Sequence, residues 1–338
     1  MVRETIQAKT SYPVECGSGL AQFHLAEIFS DRLSGVKAAV ISDREVSGYY
    51  SADFLGQFER AGIRSSLVVI DGSQAAKSVD AVKQVYESLT DVSFGEKDVL
   101  FALGGGGVQD VAGFVAATFF RGIALVRVPT SLLAMVDSAT AQYSCLNFQS
   151  YKDRISAHSD PIHTIIDTTY LSTLPARFYA NGIAQIIRYG LLGNTELLSL
   201  LTEANLDMER LVSLSLATKA ELELVPFSVR NFGMEIGAAI EGHFRFLKYS
   251  HGEALALGML AMFPDHFLQE LYRQYNLPLQ IEGVTRETIL NRLIRELSVS
   301  SDTVSFAAIA EPGKPYVQTI PITETGEYFG RFLSSVCP

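Results

Sequence analysis

Apolar and polar positions change rhythm about halfway along the chain. In the first half, short unbroken apolar runs alternate with stretches of helical spacing. KAAVISD (37–43) and SSLVVIDG (65–72) are apolar runs closed by Asp or Gly. Runs without alternation predict strands covered on both faces, as in a parallel sheet. SADFLGQFERAG (51–62) lies between them with helical spacing and stops at Gly62. KDVLFALGGGG (97–107) reads as a strand running into glycines, and IALVRVPTSLLA (123–134) as a strand ended by Pro129. Such alternation predicts an α/β sheet.

Beyond residue 173 the period becomes 3.6. STLPARFYANGIAQIIRYGLLG, TELLSLLTEANLDMERLVSLSLATKAELELV and RETILNRLIRELSVS predict helices, and PYVQTIPI (315–322) is the clearest strand. The expected class is α/β: an N-terminal dinucleotide-binding-type domain over residues 1–172 and a mostly α-helical domain over 173–338. The boundary is placed near Leu171–Pro175.

The 338 residues are 48% apolar and 19% charged, an ordinary globular mixture. A net charge of −10 argues against nucleic acid and against an anionic membrane surface. Three cysteines, Cys16, Cys145 and Cys337, are few, odd in number and far apart, which suggests a reducing compartment. The opening MVRETIQAKTSYPVECG lacks the apolar stretch of a signal peptide, and runs such as GEALALGMLAMF are too short to span a bilayer. The expected location is cytoplasmic.

Four glycines, Gly104–Gly107, sit between a strand and a helix in ALGGGGVQDVAGFVAATFFRG (102–122). Backbone without side chains admits a ligand closely, and a helix N-terminus favours phosphate. The spacing is not G-x-G-x-x-G, so the usual dinucleotide fingerprint is absent. A tight turn with no ligand is the simpler reading of the glycines alone.

Taken together, GGGGVQDVAGFVAATFFRGIALVRVPTSLLAMVDSA, LSTLPAR, GIAQIIRYG, TKAELEL, NFGMEIGAAIE and HGEALALGM occur in an order that resembles the 3-dehydroquinate synthase family of sugar phosphate cyclases. The resemblance spans about residues 10 to 330. It implies an N-terminal domain that binds NAD, a helical C-terminal domain, an active site in the cleft between them, and a homodimer. The family chemistry is oxidation by bound NAD, phosphate elimination, re-reduction and intramolecular aldol closure, with zinc holding the substrate hydroxyls.

The chain departs from that pattern where the metal sits. The family's ligand positions, one Glu and two His, correspond here to Gln185, Met234 and His251. A neutral amide and a thioether are poor zinc ligands, so zinc is not expected. His243, nine positions after Met234, falls on the opposite helix face and does not substitute. His158 and His163 have no place in the motif. A family lysine that grips phosphate corresponds to Tyr143, a Lys-Asn pair to Lys152 and Asp153, and a phosphate-binding His to Ala238. The resemblance puts Arg121 near the neighbouring subunit.

Cofactor positions of the family match Asp43, Lys77, Gly105, Gly106, Asp110, Thr130, Asp137 and Thr173. Ser73 replaces a Glu, and Gln109 replaces a glycine, where its side chain is expected to crowd a cofactor. Arg188 and Lys219 stand where the family has substrate-binding lysines, and Asn231 is retained. The expected catalytic set is Lys219, His251, Tyr143, Arg188, Asp137 and Asn231, with NAD as cofactor. Three readings stay open: an enzyme with repurposed, zinc-independent chemistry on a small, non-phosphorylated, more apolar substrate; an inactive protein that binds a ligand or partner; and a cyclase with an unusual metal site.

Overall fold

The computed structural model describes residues 11–23, 35–73, 77–149, 151–297 and 302–337. Strands β1 (Val14–Gly17), β2 (Lys37–Asp43), β3 (Arg64–Ile70), β4 (Val99–Gly104), β5 (Ala124–Pro129) and β8 (His163–Asp167) form one parallel sheet in the order β1-β8-β5-β4-β2-β3. The four expected strands are present, and β1 and β8 extend the sheet beyond them. The chain winds from β2 to β3 in one direction and then returns to β4 on the other side of β2. At such a reversal the loops beyond the carboxyl ends of the two strands diverge and leave a crevice. Asp43 ends β2 there and Gly104 ends β4.

Each helix leaving that edge has a local cause. Asp43 accepts the Val46 N–H at 2.9 Å and caps the helix Arg44–Arg60, which therefore starts seven residues before the stretch singled out in the sequence. Ser78 caps Val79–Asp91 and Ser131 caps Leu132–Val136 in the same way. Gly105 precedes the helix Gly106–Thr118 and offers no side-chain cap.

Residues Tyr143–Phe148 (β6) and Tyr151–His158 (β7) form an antiparallel hairpin outside the main sheet, and sequence periodicity did not reveal it. Helices dominate from Ala176 onward. Ala176–Leu192 is buried from Ala180 through Leu192 and packs on Leu132–Val136. Met208–Leu222, Met234–His243, His251–Met262 and Arg286–Leu297 surround it. The final three residues of the expected helix at 286–300 lie outside the described residues. PYVQTIPI supplies β10 (Pro315–Pro321), which pairs antiparallel with β9 (Thr303–Ile309).

One apolar core runs through both halves, from Phe54, Phe58 and Phe101 under the sheet to Ile183 and Ile187 in the buried helix. Truncating one of its aromatics costs about 3–5 kcal/mol. The helices Met234–His243 and His251–Met262 cross very closely: a Cβ on Gly258 would lie 2.1 Å from the Gly233 carbonyl oxygen. This crossing fixes Met234 relative to His251. Among the described residues no helix is long and apolar enough to cross a membrane.

Candidate active site

A cavity of about 840 Å³ opens at the β2/β4 reversal. Asp43, Gly105, Gly106, Thr130 and Thr173 line it from the sheet side, and it reaches His251 at the far wall. Five of the expected cofactor residues therefore meet around one space. The backbone N–H groups opening Gly106–Thr118 have no side-chain cap, which leaves donors for an anion. Gly107 must be glycine: a Cβ there would lie 2.3 Å from the Gly72 carbonyl oxygen. The Thr173 hydroxyl shares a hydrogen bond with the Tyr50 hydroxyl, which ties the interdomain turn to the Arg44–Arg60 helix.

Gln109 does not crowd this space. It is fully buried, and its Nε2 donates to the carbonyls of Ala102 (2.8 Å) and Gly104 (3.1 Å). The side chain folds back on β4 because those strand-end carbonyls need donors.

Lys77 and Asp110 are together but do not line the cavity. Lys77 Nζ lies 2.6 Å from Asp110 and 2.8 Å from Asp153, and Asp110 also accepts the Cys145 N–H at 3.1 Å. Burial works against the Lys77 ammonium, yet the two carboxylates outweigh it and raise its pKa. This group pins the hairpin beneath the Gly106–Thr118 helix. Asp153 is thus paired with Lys77 and keeps a partly exposed carboxylate edge.

The preceding residue of the hairpin, Lys152, faces the other way, as strand alternation demands. Lys152 Nζ lies 2.7 Å from Glu241 Oε2 and 2.6 Å from His251 Nδ1, and those two atoms are 3.1 Å apart. Burial alone would raise the Glu241 carboxyl, but Lys152 and then His251 hold it down at about 2. Nδ1 accepts from Lys152 when it carries no proton and donates to Glu241 when it does. Sequence reasoning missed Glu241. Its signal was available: it lies seven positions after Met234, on the same helix face.

Beside this group lies a second one. Asp137 Oδ1 accepts the Tyr189 hydroxyl at 2.9 Å and faces Lys219 Nζ at 3.3 Å. Lys219 also donates to the Asp137 carbonyl (2.7 Å) and to Thr140 Oγ1 (3.1 Å). Burial opposes the Asp137 carboxylate, and Lys219 and Arg188 overcome it to lower its pKa. Arg188 donates to the Arg230 carbonyl at 3.0 Å. Asn231 hydrogen-bonds Glu235, whose carboxyl burial pushes up to about 7 against the pull of its own N–H and of Arg188. Tyr189 and Glu235 were not singled out in the sequence.

Tyr143 stands apart from both groups. Its side chain is 53% exposed and meets His158 edge-on at 5.5 Å. It begins β6 and pairs with His158, whereas Lys152 sits near the other end of the hairpin. At ~3.3 Å per residue a strand of this length separates them by roughly 15 Å. Neither Tyr143 nor Lys219 lines the cavity that His251 lines.

At the metal positions, Gln185 is fully buried with no well-aligned hydrogen bond, and it interacts with the Tyr189 hydroxyl, which donates to Asp137. Met234 packs half-buried against the core, and His251 Nδ1 is held by Lys152 and Glu241. An amide and a thioether are weak zinc ligands, and a single imidazole beside them falls short of the three good donors of a catalytic site. Among the described residues no group of three or more His, Cys, Asp and Glu is placed to hold a metal ion. His243 lies edge-on to Phe244, His158 is on the hairpin surface, and His163 is buried near Glu15.

Residues 67–181 match the family model for the 3-dehydroquinate synthase N-terminal region. A 3-dehydroquinate synthase of Clostridium kluyveri is 26% identical over 93% of this chain and 94% of its own length. A solved structure of 2-epi-5-epi-valiolone synthase from Streptomyces hygroscopicus, with NAD+ and Zn2+ bound, superposes with a TM-score of 0.86 at 20% identity and covers 98% of this chain and 99% of that one. A 2-deoxy-scyllo-inosose synthase complexed with carbaglucose-6-phosphate, NAD+ and Co2+ gives 0.79 at 23% identity, covering 95% of this chain and 96% of that one. These likenesses, with the sheet order and the cleft at its reversal, make the chain a divergent member of the 3-dehydroquinate synthase family of sugar phosphate cyclases.

Proposed function

We propose that the chain is an NAD-binding enzyme of the cyclase type that works without a catalytic metal, by acid–base chemistry, on a non-phosphorylated substrate. The observation that carries this reading is the single cavity running from Asp43 and the glycine turn to His251. Its sheet side fits a dinucleotide: uncapped N–H groups for the pyrophosphate, a carboxylate at the end of β2 for a ribose, and glycines that leave room for both. Bound NAD would supply hydride transfer. The chain's own part is to orient the substrate and move protons, with His251 facing the cavity and Lys152 and Glu241 behind it.

Two observations support a less charged, more apolar substrate than a sugar phosphate. Lys77, Lys152 and Lys219 each have a carboxylate within 3.3 Å, so none is a free anion grip. Tyr49, Phe178 and Leu247, all exposed, stand with Phe246 at the cavity edge. The valiolone and inosose synthases carry Zn2+ and Co2+; here the donor set argues for metal-independent work. Calorimetric titration tests the cofactor half: NAD binds with micromolar affinity, and Gly107→Ala weakens it at least tenfold. Absence of NAD binding to the wild type sinks the reading. A second reading, a ligand-binding protein without turnover, is favoured by the position of Tyr143 and Lys219 outside the cavity lining. Appearance of reduced-nicotinamide absorbance when the NAD-loaded protein meets a panel of polyols separates the two.

The proposed assembly is a homodimer joined near Arg121. That residue and Phe120 both adopt left-handed backbone after the Gly106–Thr118 helix and are exposed, which holds them outward. Light scattering that gives a monomer mass at micromolar concentration rejects the dimer.

A further inference from the structure

The hairpin residues Lys152 and Asp153 carry opposite charges and point to opposite sides. Lys152 reaches Glu241 and His251 on the helical side, and Asp153 reaches Lys77 on the sheet side. With Asp110 they set a row of alternating charge in two groups, Asp110, Lys77 and Asp153 on the sheet side and Lys152 and Glu241 on the helical side. Two ammoniums face three carboxylates, so the row is net negative while His251 is neutral. Its members differ in access. Lys77 and Glu241 side chains are 4% and 1% exposed, whereas Asp153 is 37% exposed. Asp153 is therefore the most exposed carboxylate of the row. It adopts left-handed backbone (φ 53°), a conformation that Asp and Asn tolerate equally. An amide of the same shape fits the position without moving the hairpin.

We propose that Asp153 is the specificity-determining residue that closes this cleft to anionic ligands. The inference deepens the non-phosphorylated reading above and rests on it. Two effects act together. Asp153 takes up the positive charge of Lys77, and it adds a negative charge beside Lys152, the ammonium nearest His251 and the cavity. At a partly exposed position, one added charge in reach of an anion changes its affinity by about an order of magnitude. Lys152 cannot compensate, because Glu241 already holds it at 2.7 Å.

The test uses the full chain, NAD and inorganic phosphate. Phosphate binding is followed by calorimetry and by broadening of its phosphorus resonance, on the wild type, Asp153→Asn, and Asp153→Asn combined with Lys152→Met. The expected result is no wild-type binding at ten millimolar, a gain of at least tenfold in phosphate affinity for Asp153→Asn, and loss of that gain in the double variant. NAD affinity of Asp153→Asn stays within about twofold of wild type. Asp153→Asn that retains its melting transition and NAD binding but gains no phosphate affinity overturns the proposal. Wild-type phosphate binding as tight as the variant's overturns it too. A gain that survives Lys152→Met shows an adventitious ion only and also overturns it. Loss of NAD binding by the wild type is a different failure and counts against the function proposed above, not against Asp153.

Discussion

The two ends of the cleft solve opposite problems with the same fold. At the sheet end the surface is mostly backbone: the turn Gly105–Gly107, uncapped helix donors and one strand-end carboxylate leave hydrogen-bonding capacity open toward the cavity. At the inner end nearly every charged side chain has already found another. Lys152 holds Glu241, Lys219 holds Asp137, and Lys77 holds Asp110 and Asp153. An end left unsatisfied within the chain is one that a ligand completes. An end satisfied within the chain is stable without a ligand, and a ligand must compete with internal partners to enter it. Under the proposed function, the open end takes the cofactor and the internally paired end limits which substrate can enter.

The sharpest way to break the comparison is to unpair the inner end. Lys152→Met leaves the Glu241 carboxylate buried with His251 as its remaining polar partner. Breaking one side of a buried pair costs about 3–5 kcal/mol, and urea unfolding at pH 7 shows a loss of that size. The sign with pH follows from Glu241, whose folded pKa is held near 2, below its ordinary 4.5. The stabilisation is present above pH 4.5 and is lost as the pH falls toward 2. The deficit of Lys152→Met is therefore largest at neutral pH and shrinks on acidification. Lys152→Met with Glu241→Leu recovers most of the loss. A single variant as stable as wild type at pH 7 would show that the inner end is not self-satisfied.

Legibility in the sequence follows the same division. The buried parallel strands and the helix Ala176–Leu192 announce themselves because burial on all sides requires long apolar runs. The glycine turn is visible because only glycine fits where Gly107 meets Gly72. The hairpin Tyr143–His158 is hidden, since KDR interrupts its apolar alternation and the sequence between its strands carries no Gly, Pro, Asn or Asp to signal a turn. β1 and β8 are short and include Glu15, His163 and Asp167, so they lack the apolar signature of the other strands. The charge row is invisible in principle: Lys152 and Glu241 are 89 positions apart, and only the packing of the hairpin on the helix Met234–His243 brings them together. Motif matching placed Lys77, Asp110 and Tyr143 by family position, but Lys77 turns to Asp110 and Asp153, and Tyr143 to His158, rather than into the cavity.

A smaller effect sharpens the comparison at Glu235, the acid of the inner end that the charge row does not include. Its folded pKa near 7 lies above the ordinary 4.5, so the fold favours its protonated form. Between those values the native state holds the extra proton, and stability falls as pH rises through that window. Glu235→Gln removes the dependence. The variant should match wild type at pH 4.5 and exceed it by about 1–2 kcal/mol at pH 8, read from melting temperatures across pH. A flat difference between the two pH values would mean that Glu235 is paired after all.

The smallest effect is expected where the sequence promised a large one. Tyr143 occupies the position of a phosphate-gripping lysine, so a reading by motif makes it catalytic. In the structure its ring stands on the solvent side of the hairpin, edge-on to His158, and half its surface is exposed. A cross-strand pair of this kind contributes roughly 0.2–1 kcal/mol. Tyr143→Ala should therefore lower stability by no more than that and leave NAD affinity within about twofold, whereas Lys152→Met lowers stability severalfold more. If Tyr143→Ala abolishes turnover of a substrate that the wild type converts, with stability and NAD binding unchanged, the hairpin must swing its outer end into the cleft during reaction. The inner end would then be an open resting state, and its ion pairs would be what closure rearranges.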